Sequence, residues 1–163
     1  MSATAPWPGR TGDPSADFST LRARIPYAAF LDMQLLVDGE RLRFRLPFRE
    51  NLIGDAALPA IHGGVIAGFM ECAAQVQLLL LLPERRLPKN IDFSIDYLRS
   101  GNAADCYVDC EIMRQGRRVA QVQIRCWQHE RNAHGEGGVE KPPRTRAIAL
   151  ARAHFLLSTE TDV

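Results

Sequence analysis

Four residues of this chain have types and spacing that could do chemistry together: His62, Gly63, Gly64 and Glu71. The glycines carry no side chain, so a substrate oxygen can approach the backbone N–H groups closely. Glu71 is the only charged residue in the nineteen from Gly64 to Leu82. A carboxylate in an apolar run is costly to bury unless it is paired or used. An acid that can take a proton or attack, with N–H donors for a developing oxyanion, suits chemistry on a carbonyl. The bland alternatives are that Glu71 faces solvent and that His62 only caps a helix. Residue types alone leave both open.

The element that must position these residues is a helix. Pro59 precedes the run Gly64–Leu82 and Pro83 closes it, which is the punctuation of one long helix. Val65, Ile66, Phe69, Met70, Val76, Leu79 and Leu80 put apolar groups on every face, so the helix is expected to be buried. The glycines at its start present N–H groups at the positive end of the helix dipole. Its length would also span a bilayer. Glu71, Gln75 and Gln77 near the middle, with amphipathic strands on either side, argue against a membrane.

His62-Gly63-Gly64, six residues of any kind and then Glu71 resembles the helix of hotdog-fold acyl-CoA thioesterases of the PaaI type. The segment Asn90-Ile91-Asp92-Phe93-Ser94-Ile95-Asp96-Tyr97-Leu98-Arg99-Ser100-Gly101 is similar to the strand that comes after that helix. The resemblance covers roughly residues 30 to 157. It implies an antiparallel sheet wrapped around one long central helix, and hydrolysis of an acyl-CoA thioester. By that resemblance Glu71 is base or nucleophile, Gly63 N–H the oxyanion donor, and His62 the group that orients or polarises the thioester. Asn51 is the nearest match to the residue that holds the attacking water, and Asn90 falls where relatives carry a hydroxyl near the acid. Gly64, Asn90, Arg99 and Arg117 are the substrate-binding candidates; Arg114 and Arg118 also suit phosphate oxygens of a CoA tail. No cofactor is implied, coenzyme A being part of the substrate, and no metal.

Composition narrows the class. With 163 residues the chain is one domain, preceded by a tail at 1–16 rich in proline and glycine that is expected to be disordered. Twenty basic and nineteen acidic residues leave a net charge of +1, which speaks against a nucleic-acid partner. Cys72, Cys106, Cys110 and Cys126 lack metal-binding spacing and read as buried small hydrophobes in a reducing compartment. No secretory signal is visible, so a cytoplasmic location is expected.

The remaining pattern fills residues 17–163. Asp17 is expected to cap a short helix ending before Pro26. Strands are read at 30–37 and 41–48, joined at Asp38-Gly39, a strong hairpin signal. Leu42, Phe44 and Leu46 alternate with arginines, which predicts one buried face. Further strands are read at 91–98, 104–114, 118–129 and 146–157, the last with a row of alanines that lets a helix lie close. Residues 130–144 form a turn-rich excursion. This is an α+β pattern of one antiparallel sheet with one long helix. One helix cannot cover both sheet faces, so a homodimer is expected, with pairing of dimers left open. Two other functions stay open: a dehydratase or hydratase on acyl thioesters, and a non-catalytic acyl-CoA binder.

Overall fold

The computed structural model describes residues 14–39, 41–82, 87–130 and 145–157. Within them eight strands and three α-helices run in the order α1 (Pro14–Ala23), α2 (Pro26–Phe30), β1 (Gln34–Asp38), β2 (Arg41–Leu46), β3 (Ile53–Asp55), β4 (Leu58–Ile61), α3 (Gly63–Leu81), β5 (Lys89–Tyr97), β6 (Cys106–Gln115), β7 (Val119–His129) and β8 (Thr145–Leu156). Six strands form one antiparallel sheet in the order β1-β2-β6-β7-β8-β5, and β3 with β4 make a separate hairpin.

The sheet bends around α3, which packs against β2, β5, β6, β7 and β8. Alternation builds the contact surface. Phe44 and Leu46 of β2, Val108 and Cys110 of β6, Val122 and Ile124 of β7, and Ala151 and Phe155 of β8 all turn inward and are buried. Against them α3 presents Phe69, Met70, Val76, Leu79 and Leu80. Good helix formers (Ala, Leu, Met, Gln) fill most of α3, and Leu82 is extended, as a residue before proline should be. By length and composition α3 could cross a membrane, yet 61% of that window is buried inside the protein. The four cysteines are free and buried, and burial pushes the Cys72 thiol up to about 12.

Four expectations change. The helix at the start begins at Pro14, inside the expected disordered tail, and Asp17 sits in its first turn rather than at its cap. Residues 26–30, of which the sequence pattern puts only Phe30 in a strand and leaves the rest unassigned, form α2, because Pro26 presets the first helical φ and Ala28 then faces the core. The hairpin β3–β4 was not anticipated. Finally, α3 is not covered all round: Gly64 is exposed, and Ala67, Gly68, Glu71 and Gln75 are only half-buried. The excursion beyond Glu130 lies outside the described residues.

β5 forms an edge of the sheet, paired only with β8 among the described residues. It runs back along α3, since Gln75 Nε2 donates to Pro88 O (3.1 Å) near its start and Tyr97 meets Gly63 at its end. The alanine row on β8 is what lets the helix lie so close. Ala153 is fully buried, so Ala153→Leu should overpack this contact and cost about 1–3 kcal/mol in urea unfolding.

Candidate functional site

The start of α3 accounts for its free donors one by one. A helix leaves its first N–H groups without intrahelical partners. Here His62 N–H donates to Leu52 O (2.9 Å), Gly64 N–H to His62 Nδ1 (2.9 Å) and Val65 N–H to His62 O (3.0 Å). Gly63 N–H has no partner among the described residues. It is the open donor at the positive end of the helix. Gly64, expected to offer its N–H to substrate, has already given it to His62.

His62 is thus both cap and candidate. A ring nitrogen that accepts a hydrogen bond carries no proton, so the neutral ring holds its proton on Nε2, which is a donor. The ring is exposed and lies against Gly54, where a Cβ would come within 2.9 Å of it. The hairpin β3–β4 makes this possible. Asp55 Oδ1 accepts the Ala57 N–H (2.9 Å) in a tight turn, and Ile53 then pairs with Ile61. Asn51, exposed in a short 3-10 turn eleven positions before His62, is next in sequence to Leu52, whose carbonyl meets His62 N–H. The turn-forming Asp55 was the sequence signal for that hairpin.

A cavity of about 580 Å³ opens beside Gly63, lined by Leu58, Ile61, Ile66, Tyr97, Leu98 and Arg99 among others. Its walls are largely apolar, and His62 and Gly63 form part of them. Tyr97 is the residue sequence reasoning missed. Its hydroxyl donates to Gly63 O at 2.7 Å, and its ring would lie 3.3 Å from a Cβ at Gly63. Arg99 lines the same cavity, with Nη1 donating to Ala147 O (3.3 Å).

Other candidates lie elsewhere. Glu71 sits eight residues after Gly63, roughly 12 Å along the helix at 1.5 Å per residue. It is half-buried and has no hydrogen-bond or ion-pair partner among the described residues. Asn90 uses Oδ1 to accept the Asp92 N–H (3.2 Å) at a bulge in β5, a turn role, at the far end of that strand from Tyr97. Arg117 lies in the β6–β7 turn, beside the end of β8, where Leu156 pairs with Val119 on one side and with Lys89 at the start of β5 on the other. Within one chain, then, His62, Gly63, Tyr97 and Arg99 line one cavity at the start of α3, Asn51 is linked to it only through its neighbour Leu52, and Glu71, Asn90 and Arg117 do not join them. No group of three or more His, Cys, Asp or Glu able to hold a metal occurs among the described residues.

The cap makes a separable prediction. His62→Asn keeps a good N-cap and should leave stability within a few tenths of a kcal/mol, whereas His62→Ala should cost about 1 kcal/mol in urea unfolding.

Known proteins share the fold that holds these residues. The family model described as acyl-CoA thioesterase N-terminal domain matches residues 54–158. A solved protein from Chromobacterium violaceum is 38% identical, with 90% of this chain and 99% of that one covered and a TM-score of 0.58. A thioesterase family protein from Silicibacter pomeroyi (18% identity, 88% and 97% covered, TM-score 0.69) shares the fold. So does mouse thioesterase superfamily member 2 (15% identity, 91% and 100% covered, TM-score 0.67). A search of curated proteins finds no match. The sheet wrapped around α3 is the hotdog fold, and the chain belongs to the acyl-CoA thioesterase family.

Proposed function

We propose that this protein hydrolyses acyl-CoA thioesters to the free acid and CoA at sites shared between two copies of the chain. The observation that carries the reading is the open N–H of Gly63, a residue that lines a largely apolar cavity, with every neighbouring donor already satisfied. Family membership supports thioester chemistry in general. The residue roles are our own assignment.

Hydrolysis begins with the thioester carbonyl oxygen accepting from Gly63 N–H, while His62 Nε2–H orients the same group. Water attacks the carbonyl carbon while Glu71 takes its proton, and the oxyanion forms against Gly63 N–H. The tetrahedral species collapses, the C–S bond breaks, and the thiolate leaves with the proton from Glu71 as CoA-SH. Direct attack by Glu71, with an anhydride then hydrolysed by water, gives the same products. Asn51 is the candidate to hold the water. Arg99, at the cavity, is the candidate for the CoA phosphates, with Gly64 and Asn90 flanking the bound substrate. Coenzyme A belongs to the substrate, and the mechanism calls for no cofactor.

Helix length favours sharing. Gly63 and Glu71 of one chain are too far apart to act on one carbonyl. The half-covered face of α3 contains Gly64, Gly68 and Glu71, and β5 beside it is an unpaired edge among the described residues. Pairing two β5 edges antiparallel about a two-fold axis would set two α3 helices antiparallel. Glu71, Asn90 and Arg117 of one copy then approach Gly63 of the other, and dimers can pair further. Free buried thiols accord with a cytoplasmic location.

A dehydratase needs a histidine that accepts a proton, and His62 has its acceptor nitrogen committed to Gly64. The sensor reading is answered by turnover. A panel of acyl-CoAs read with a thiol-detecting dye should release free CoA. Enoyl absorbance change without thiol would favour the dehydratase, and binding without either would favour a sensor.

Glu71→Gln should fold and lose on the order of 100-fold or more in kcat; unchanged turnover removes the carboxylate from the mechanism. Sharing has its own test. Gly63→Pro deletes the N–H at a position where proline suits a helix start, and the exposed Tyr97 ring can yield to it. Glu71→Ala deletes the acid. Each variant alone should be nearly dead. Refolded together, about half the dimers are mixed and each rebuilds one of two sites, so activity should approach roughly a quarter of wild type. Mixed dimers seen by mass spectrometry without recovery would rule out the shared geometry.

A further inference from the structure

The peptide unit joining Gly63 to Gly64 is held at both ends by side chains. Its N–H, belonging to Gly64, donates to His62 Nδ1 at 2.9 Å. Its carbonyl, belonging to Gly63, accepts from the Tyr97 hydroxyl at 2.7 Å. Two successive glycines give the backbone its greatest rotational freedom at the one place where an N–H direction matters. The His62 contact is local, two residues away in sequence. The Tyr97 contact reaches across 34 residues from the end of β5, so it ties the helix start to the sheet.

We propose that Tyr97 is a positioning residue. By pinning the Gly63 carbonyl it fixes the orientation of the neighbouring Gly63 N–H toward the cavity, and its ring forms the wall against which the substrate beside the thioester packs. The inference rests on the reading of Gly63 N–H as oxyanion donor.

Three observations carry it. Tyr97 turns inward from β5, in the same alternation as Phe93 and Ile95, yet it meets backbone rather than the apolar core. A Cβ at position 63 would stand 3.3 Å from both the ring and the hydroxyl oxygen, closer than ordinary contact, so the ring lies directly over this glycine and would have to shift by a few tenths of an ångström for any side chain there. Tyr97 is also 51% exposed, and it lines the cavity. A tyrosine kept only for core packing would be buried. One kept only for solubility would make no bond to the helix start.

Preorganised donors stabilise an oxyanion because they need not reorient during reaction. Loss of the hydroxyl should therefore weaken the transition state more than the ground state. Tyr97→Phe keeps the ring and its wall and removes only the bond to Gly63 O. The expected result is a kcat lower by about 3- to 10-fold, the equivalent of one neutral hydrogen bond, with KM within about twofold and the melting temperature close to wild type. Tyr97→Leu removes the wall as well and should raise KM in addition.

A readout independent of turnover separates this from a structural role. Backbone order parameters of the Gly63 and Gly64 amides, measured by 15N relaxation, should fall in Tyr97→Phe while those in the middle of α3 stay unchanged. Unchanged order at Gly63 and Gly64 in the folded variant would overturn the proposal. So would a drop in order that leaves kcat intact. A wild-type protein inactive on every acyl-CoA would instead sink the hydrolase reading and the catalytic half of this one, while the order parameters still decide whether Tyr97 holds the peptide.

Discussion

The constraint on which the rest of the site depends is the direction of one amide at the start of α3. A helix N-terminus offers several N–H groups, and a site that binds one oxygen gains nothing from donors that point in different directions. This chain satisfies the surplus internally. Leu52 takes the His62 donor, and His62 itself takes the donors of Gly64 and Val65. What remains is a single open N–H on a backbone that two glycines would otherwise leave loose. Holding that backbone in place draws on distant parts of the chain: Leu52 from the turn before β3, and Tyr97 from the end of β5.

That dependence explains features with no obvious role in a core. The hairpin β3–β4 contributes little to the buried centre, since Leu58 and Pro59 are exposed. Its service is to fold the chain back so that Leu52 meets His62 and the His62 ring rests on Gly54. Ile61 N–H is in turn bonded to Gly101 O (2.9 Å), which fastens the hairpin to the segment after β5. The cavity lies where these pieces meet. Its apolar walls are thus a consequence of anchoring the helix start, and the same side chains that hold the backbone shape the space a substrate would enter.

Much of this was legible in the sequence, and the gaps have physical causes. Alternation of Phe44 with arginines, and of Val122 with Gln121 and Gln123, fixed the inward faces because one face of each strand is buried. The length of α3 was readable to within one residue at each end from glycine and proline. What could not be read were contacts between residues distant in sequence. Tyr97 looked like one more residue in an alternating strand, because nothing local says that its hydroxyl ends on Gly63. The hairpin was missed because three- and four-residue strands carry too little pattern. The turn of helix at 26–30 is not legible, and Phe30 reads as part of a strand, because a single helical turn is decided by where Ala28 and Leu31 find burial, a tertiary matter. Glu71 stood out correctly as the lone charge of its run. That it would sit half-exposed on an uncovered stripe required the fold.

The stripe bears on why one chain would be incomplete. A helix at the centre of a wrapped sheet buries most of its surface, yet the side left half-covered here carries Gly64, Ala67, Gly68, Glu71 and Gln75 at spacings of three and four. Small side chains there keep the surface low, and Tyr27 already lies over Gly68, where a Cβ would come within 2.5 Å of its ring. An acid on such a surface, with no partner among the described residues, is well placed for work on a group that arrives from outside the chain. The open N–H lies on the same helix about two turns earlier, too far to share a carbonyl with that acid. A rigid helix cannot shorten this distance. Bending within one protomer would therefore not bring the two groups of the proposed site together. In the shared-site reading proposed above, an antiparallel second copy would, because a two-fold axis through the middle of the interval would bring the unlike ends of two helices together and make two equivalent sites at once.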